Sequence, residues 1–301
     1  MRIIDPHCHM YSRTVDDYEM MALCGIEAIV EPSFWLGNDR QYAGSFYDYF
    51  NHISEWEPKN RAAKRGIKHF CTIAMNPKEA EQIGLAREVI AGMLPFLQRP
   101  TAVGIGEIGL NNITPNEETI MAEQFELARK LNVPVIVHTP HNNKLEGTLR
   151  TLAIAKECQI DPGRVNIDHN TEETLRHTLD AGFWAGITMY PRTKCTPQRA
   201  RDMIERFGAE RILLNSACDW ETSDPLAVPK AARLMLQTGF TRAQVRGVVW
   251  ENPYHFLAQN PKFKNAMEPL RAEDEPLPPE PVNASSDWVN RGELPVPKAN
   301  G

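Results

Sequence analysis

Arg2-Ile3-Ile4-Asp5-Pro6-His7-Cys8-His9 opens the chain as a short apolar run leading into two histidines separated by one residue. Alternate residues leaving a strand point the same way, so two imidazoles placed like this can grip one metal ion. With 9 His in 301 residues, chance gives roughly 0.3 His-x-His pairs in a chain of this composition. The triplet alone therefore decides little, and its partners downstream decide.

Short β-branched runs alternate with amphipathic stretches along the rest of the chain. After the first run they lie at 26–30, 67–73, 102–105, 133–137, 165–167, 183–188 and 211–214. Eight strand-then-helix units predict an α/β fold of the (β/α)8 TIM-barrel type, while a doubly wound open sheet shares the alternation and stays an alternative. Helix starts fit the phasing: Thr114-Pro115-Asn116-Glu117 reads as a capping box with Pro at the first helical position, Thr196-Pro197 repeats the Pro signal, and Thr241 precedes Gln244 by three.

Two segments break the rhythm. Residues 32–66 carry Phe34, Trp35, Tyr42, Phe46, Tyr47, Tyr49, Phe50 and Trp56, far more than a few-residue connection. They read as an insertion leaving the C-terminal rim after the second strand, either a partial lid over the site or a small satellite core on the barrel wall. From Pro261 to residue 301 the chain is proline-rich with an acidic Glu273-Asp274-Glu275 run, a composition that builds no core of its own. The expected organisation is a barrel domain over 1–260 and a tail over 261–301. That tail is pinned against the barrel or against a neighbouring subunit, the latter giving a homo-oligomer.

Hydrophobic residues make up 42% and charged residues 24% of the chain, an ordinary globular mixture able to bury one large core. Arg2, Asp5, His7 and His9 leave no apolar targeting region at the start, and no later stretch has the length to span a bilayer, so the expected location is the cytoplasm, with no membrane partner. Six scattered cysteines without a Cys-x-x-Cys spacing suit reduced thiols. A net charge of −6 offers no broad basic footprint, which disfavours nucleic acid as a partner and favours a small molecule.

The chemistry gathers at the strand ends. His7 and His9 follow the first strand, Glu107 the fourth, His138 the fifth, His169 the sixth and Asp219 the eighth. In a barrel these positions form the C-terminal rim, where active sites are built. Four imidazoles and two carboxylates match the N/O preference of zinc and similar first-row ions; mostly oxygen donors would be needed for calcium or magnesium.

The pattern resembles the TatD-like branch of the amidohydrolase superfamily and, within it, the TIM-barrel hydrolases of the EboB type. The resemblance rests on Asp5-Pro6-His7-Cys8-His9, Gly106-Glu107-Ile108-Gly109-Leu110, Pro134-Val135-Ile136-Val137-His138, Asp168-His169, Cys218-Asp219 and Glu251-Asn252-Pro253, and spans residues 1 to about 258. It implies a metal-dependent hydrolase with two divalent ions, zinc first and manganese, nickel, iron or magnesium as substitutes. His7, His9 and Asp219 would hold one ion and His138 and His169 the other. Glu107 would bridge them, where relatives carry a carboxylated lysine. Departures fall around the substrate: His138 leads into Thr139-Pro140-His141, Asn111 stands for the usual carboxylate, and Asp219-Trp220-Glu221 lacks the usual Pro.

Such a site favours hydrolysis of an ester, amide or phosphoester bond in a small or medium-sized substrate by a metal-activated hydroxide, with Asp219 passing the proton. Two ions bring +4, Glu107 and Asp219 return −2 and a hydroxide −1, leaving a formal charge of about +1 that draws anionic or carbonyl oxygens. Phe34 and Trp35, nearest the end of the second strand, are expected to touch substrate. His141 either contacts substrate or caps the helix beginning near Asn143. Arg192 and Lys194 either bind an anionic substrate group or are solvated loop charges. Asp5 either orients an imidazole or shapes a strand-end turn. Cys8 and Cys218, flanking ligands, are turned away by alternation and read as packing.

Gly104-Ile105-Gly106-Glu107-Ile108-Gly109 matches a dinucleotide fingerprint formally. The next helix begins too late for its N-terminus to meet a pyrophosphate, and Glu107 would face that phosphate, so the match is rejected. Two rivals to the hydrolase reading remain: a metal-dependent deoxyribonuclease, and a non-catalytic scaffold retaining a structural metal.

Overall fold

The computed structural model describes residues 1–272. Eight strands, β1 (Ile3–Asp5), β2 (Ile26–Pro32), β3 (Lys68–Thr72), β4 (Ala102–Gly109), β5 (Val135–His138), β6 (Val165–Ile167), β7 (Trp184–Thr188) and β8 (Ile212–Asn215), form one sheet in chain order. Each pairs with the next in parallel. A doubly wound sheet reverses direction at a switch point, and this one does not. The two end strands meet at the rim: Ala217 N–H donates to the His7 carbonyl at 2.8 Å, and His9 N–H to the Cys218 carbonyl at 2.7 Å. Asp5 reinforces that seam by accepting from the Ser216 hydroxyl at 2.6 Å and from the His7 N–H at 3.2 Å. The result is a nearly closed TIM barrel with helices alternating between its strands.

One interior cluster joins Ile4, Ala28, Val30, Phe70, Val103, Ile136 and Leu213 of the strands to Trp250, Tyr254, Phe256 and Phe263. Two larger clusters lie between strands and outer helices. The pleat then aims the next residue but one the same way, so Ile136 is followed by His138 and Leu213 by Asn215 at the rim.

Two boundaries differ from the sequence reading. β4 continues through Glu107 to Gly109, with its register against β5 shifting between Ile105 and Ile108; Glu107 therefore sits inside a strand rather than behind one. Residues 261–272 form a helix instead of an irregular tail. Its Phe263 and Met267 are wholly buried, one helical turn apart, and Lys262 Nζ donates to the Leu97 and Arg99 carbonyls at 2.6 and 2.9 Å, ahead of β4. The helix thus closes the end of the barrel opposite the rim. The Glu273-Asp274-Glu275 run, the later prolines and any oligomer contact through them lie outside the described residues.

Residues 32–66 divide in two. Helix Ala43–Asn51 continues through wider turns over His52–Trp56 and Pro58–Ala62, and buries Phe46, Tyr49, Phe50 and Ile53 against the barrel. Those positions repeat at three and four residues, the spacing of one helix face. This part is the barrel's own helix between β2 and β3. Only the stretch ahead of it, carrying Phe34 and Trp35, reaches over the rim.

Candidate metal centre

β1 runs into His7 and His9, β4 carries Glu107, β5 ends on His138, and β6 is followed by His169, whose backbone is left-handed at φ 62°. A non-glycine residue held there is strained and persists where its surroundings fix it. Two groups of potential ligands result, His7, His9 and Glu107, and Glu107, His138 and His169, each with its ligand atoms within 4.8 Å of one another. Glu107 belongs to both. Its Oε1 lies 3.5 Å from His7 Nε2, 3.3 Å from His138 Nδ1 and 3.2 Å from His169 Nε2.

The spacing fits metal ligation. His7 Nε2 and His9 Nε2 are 3.0 Å apart, and His169 Nε2 and His138 Nδ1 3.1 Å. Atoms each about 2 Å from one tetrahedral ion lie roughly 3.3 Å from each other. All five side chains are buried, and His138 Nε2 has no hydrogen-bond partner among the described residues.

Outer contacts orient these rings. His7 Nδ1 lies within hydrogen-bond distance of Asp168 Oδ2, which leaves Nε2 to offer its lone pair. Asp168 is itself held by Asn215 Nδ2 at 3.0 Å and the Thr188 hydroxyl at 3.1 Å. His169 Nδ1 lies 2.6 Å from that same hydroxyl. A Cβ on Gly186 would stand 2.1 Å from Asp168 Oδ1, so only glycine leaves room for the carboxylate. On the other side Asn76 Nδ2 donates to Glu107 Oε2 at 3.3 Å.

Burial alone would push Glu107 up, but the charge of His7 and His138 and hydrogen bonds from His138 and His169 overcome it and hold the carboxylate well below its usual range. Burial holds His9, His138 and His169 below the usual histidine range, the last helped by the Lys194 charge. These are the protonation states a metal requires of its ligands: carboxylate and neutral imidazole. For His7 burial is outweighed by Glu107 and Asp168, which move it upward.

A cavity of about 390 Å³ opens over the centre, lined by His9, Glu107, His138, His169 and Asp219 together with Phe34, Trp35, Asn76, Lys78, His141, Tyr190, Thr193, Lys194, Ala217, Trp220 and Glu221. The Phe34 ring stacks on His9 at 3.8 Å between centroids, and Trp220 touches both Phe34 and Trp35 at 5.0 and 6.0 Å. His141 lines the same space, its ring 6.3 Å from His138. The cap of helix Lys144–Glu157 is Asn143, and His141 makes no bond to that helix start.

Three expected site residues sit differently. Asp219 lines the cavity but belongs to neither ligand group: its Oδ1 accepts from the Tyr190 hydroxyl at 2.6 Å and the Glu221 N–H at 2.7 Å. Arg192 is exposed and does not line the cavity, whereas Lys194 reaches inward to 3.2 Å from His169 Nδ1. Asp5 serves the strand seam, and the imidazole-orienting contact belongs to Asp168, a residue passed over although it stands in the quoted Asp168-His169 pair. Thr188, Tyr190, Asn76 and Trp220 had no sequence signal beyond their position at or after strand ends. Cys8 and Cys218 are buried, and Cys8 Sγ faces the Val30 carbonyl at 3.7 Å.

A family model described as TatD related DNase matches residues 4–258. An uncharacterized metal-dependent hydrolase of Methanocaldococcus jannaschii is 30% identical over 260 residues, 84% of this chain and 99% of that protein. The 3'-5' ssDNA/RNA exonuclease TatD of Citrobacter koseri is 26% identical over 186 residues, 59% of this chain and 66% of that protein, so just under two thirds of its length is spanned. Among solved structures, a TatD-like protein of Archaeoglobus fulgidus is similar at a TM-score of 0.69 and 26% identity, over 85% of this chain and 99% of that one.

Proposed function

This chain belongs to the TatD family and is a metal-dependent hydrolase; we propose that it holds two divalent ions, zinc first, and cleaves an ester, amide or phosphoester bond of a small or medium-sized molecule. The observation that carries the reading is Glu107 Oε1, common to two buried groups of ligands. His7 and His9 would hold one ion, His138 and His169 the other, with Glu107 between them. When bound, such a pair supplies a water of lowered pKa and Lewis acidity toward a carbonyl or phosphoryl oxygen.

The chain's own residues do the rest. Asp219, with Oδ1 tied by Tyr190 and Glu221, has Oδ2 without a hydrogen bond among the described residues, and there it takes the attacking water's proton and returns it to the leaving group. Phe34, Trp35 and Trp220 narrow the entrance and exclude water from one side, and His141 faces the substrate from the other. A panel of esters, amides and phosphoesters offered to zinc- and manganese-loaded protein tests the reading. Turnover of one class is expected, reduced about 10²- to 10⁴-fold in Asp219→Asn with metal content retained. No turnover of any class by protein holding both ions would overturn it.

A second reading, cleavage of single-stranded nucleic acid, is favoured by the name of the Citrobacter koseri relative and by aromatic rings beside lysines at the entrance, which suit stacked bases and phosphates. The cavity volume of about 390 Å³ and the net charge of −6 favour the small molecule. Digestion of single-stranded DNA that disappears in Glu107→Ala would reverse that preference.

A further inference from the structure

Two lysines line the cavity, and neither has a carboxylate within ion-pair distance among the described residues. Lys194, on the loop after β7, reaches 3.2 and 3.4 Å from the two ring nitrogens of His169. Lys78 lies over the Trp35 ring at 4.4 Å. Both lysines line the same cavity, so their like charges repel each other there. The nearby carboxylates, Glu107, Asp168 and Asp219, are already engaged by histidines or by Tyr190. Two cations sharing one cavity, beside a centre that gains more positive charge when ions bind, suit an anion supplied from outside the protein.

Beside Lys78 the same cavity has an apolar wall made by Phe34, Trp35 and Trp220, the Trp220 ring tilted 47° to Phe34 and 52° to Trp35. Lys194 stands in the partition between this cavity and a neighbouring one of about 300 Å³, of which His141, His169 and Thr193 also form part. An anion seated between Lys194 and Lys78 would therefore lie next to the aromatic face and within reach of the ligand histidines.

We infer that the substrate of this hydrolase is a small molecule bearing an anionic group, phosphate or carboxylate, that seats between Lys194 and Lys78, joined to an apolar part that packs against the wall of Trp35 and Trp220. This deepens the hydrolase reading and rests on it for the word substrate. The anion-binding site itself can be measured without turnover.

Calorimetric titration of zinc-loaded protein with inorganic phosphate, phenyl phosphate, benzoate and benzyl alcohol tests the inference. Phenyl phosphate and benzoate are expected to bind and benzyl alcohol at least tenfold more weakly. Lys194→Gln and Lys78→Gln should each weaken phenyl phosphate tenfold or more with zinc content unchanged. Trp35→Ala should weaken phenyl phosphate but not inorganic phosphate. Should Lys194→Gln lose zinc, Lys78→Gln carries the same comparison. Affinities for the anions equal to wild type in variants that keep their zinc would overturn the inference, since the ions alone would then hold the anion. Lysine-dependent binding without turnover on any substrate would sustain the anion site and count against hydrolysis, so the two failures are separable.

Discussion

The arrangement turns on single atoms. His7 offers Nε2 because its Nδ1 is taken by Asp168, and Asp168 is in turn held by Asn215 and Thr188. Asp168→Asn keeps the shape but gives His7 a weaker partner, so metal affinity should fall about 10- to 100-fold. Competition with a fluorescent chelator measures this, and circular dichroism checks that the fold is intact; affinity within twofold of wild type would assign the carboxylate to stability alone. The five candidate ligand side chains drawn together at Glu107 were legible in the sequence because each follows or ends an apolar run, and strand ends in a barrel converge. Asp168 was less so, because a residue that touches only another side chain leaves no spacing signature. Asp219 shows the limit from the other side: its position after β8 is readable, but its hydrogen bond from Tyr190 depends on chain segments that meet only in space.

At the scale of elements, the segment between β2 and β3 has two jobs. Its helix, with Phe46, Tyr49, Phe50 and Ile53 on one face, packs the barrel, and its first residues bring Phe34 and Trp35 over the metal centre. The three- and four-residue repeat of those aromatics was present in the sequence, though aromatic richness drew attention to a lid rather than to a helix. Trp35→Ala should change KM several-fold or shift substrate preference while leaving metal content unchanged; steady-state kinetics with elemental analysis would show whether it does. At the opposite end, helix Pro261–Ala272 was hidden by the proline-rich composition that follows it. Its anchor, Phe263, is wholly buried against Phe70 at 4.7 Å between rings. Removing such a ring leaves a cavity, so Phe263→Ala should destabilise the protein by about 3–5 kcal/mol in urea titration, with little effect on metal affinity at the distant rim.

Across the whole molecule, the barrel separates stability from chemistry. Apolar residues of all three clusters hold the strands, and the polar side chains that the strands project at one rim converge on Glu107. Order of pairing, β1 through β8 in sequence, is what brings His7 from one end of the chain beside Asp168 and Asp219 from far along it. No helix among the described residues is long and apolar enough to cross a membrane. The central claim is that Glu107 joins two ion sites, and it is tested most directly by elemental analysis of protein purified without chelators and then equilibrated with zinc or manganese. About two ions per chain are expected for the wild type, as a two-metal centre requires, and fewer than one in Glu107→Ala. Wild-type occupancy that never rises above one under excess metal would contradict the account.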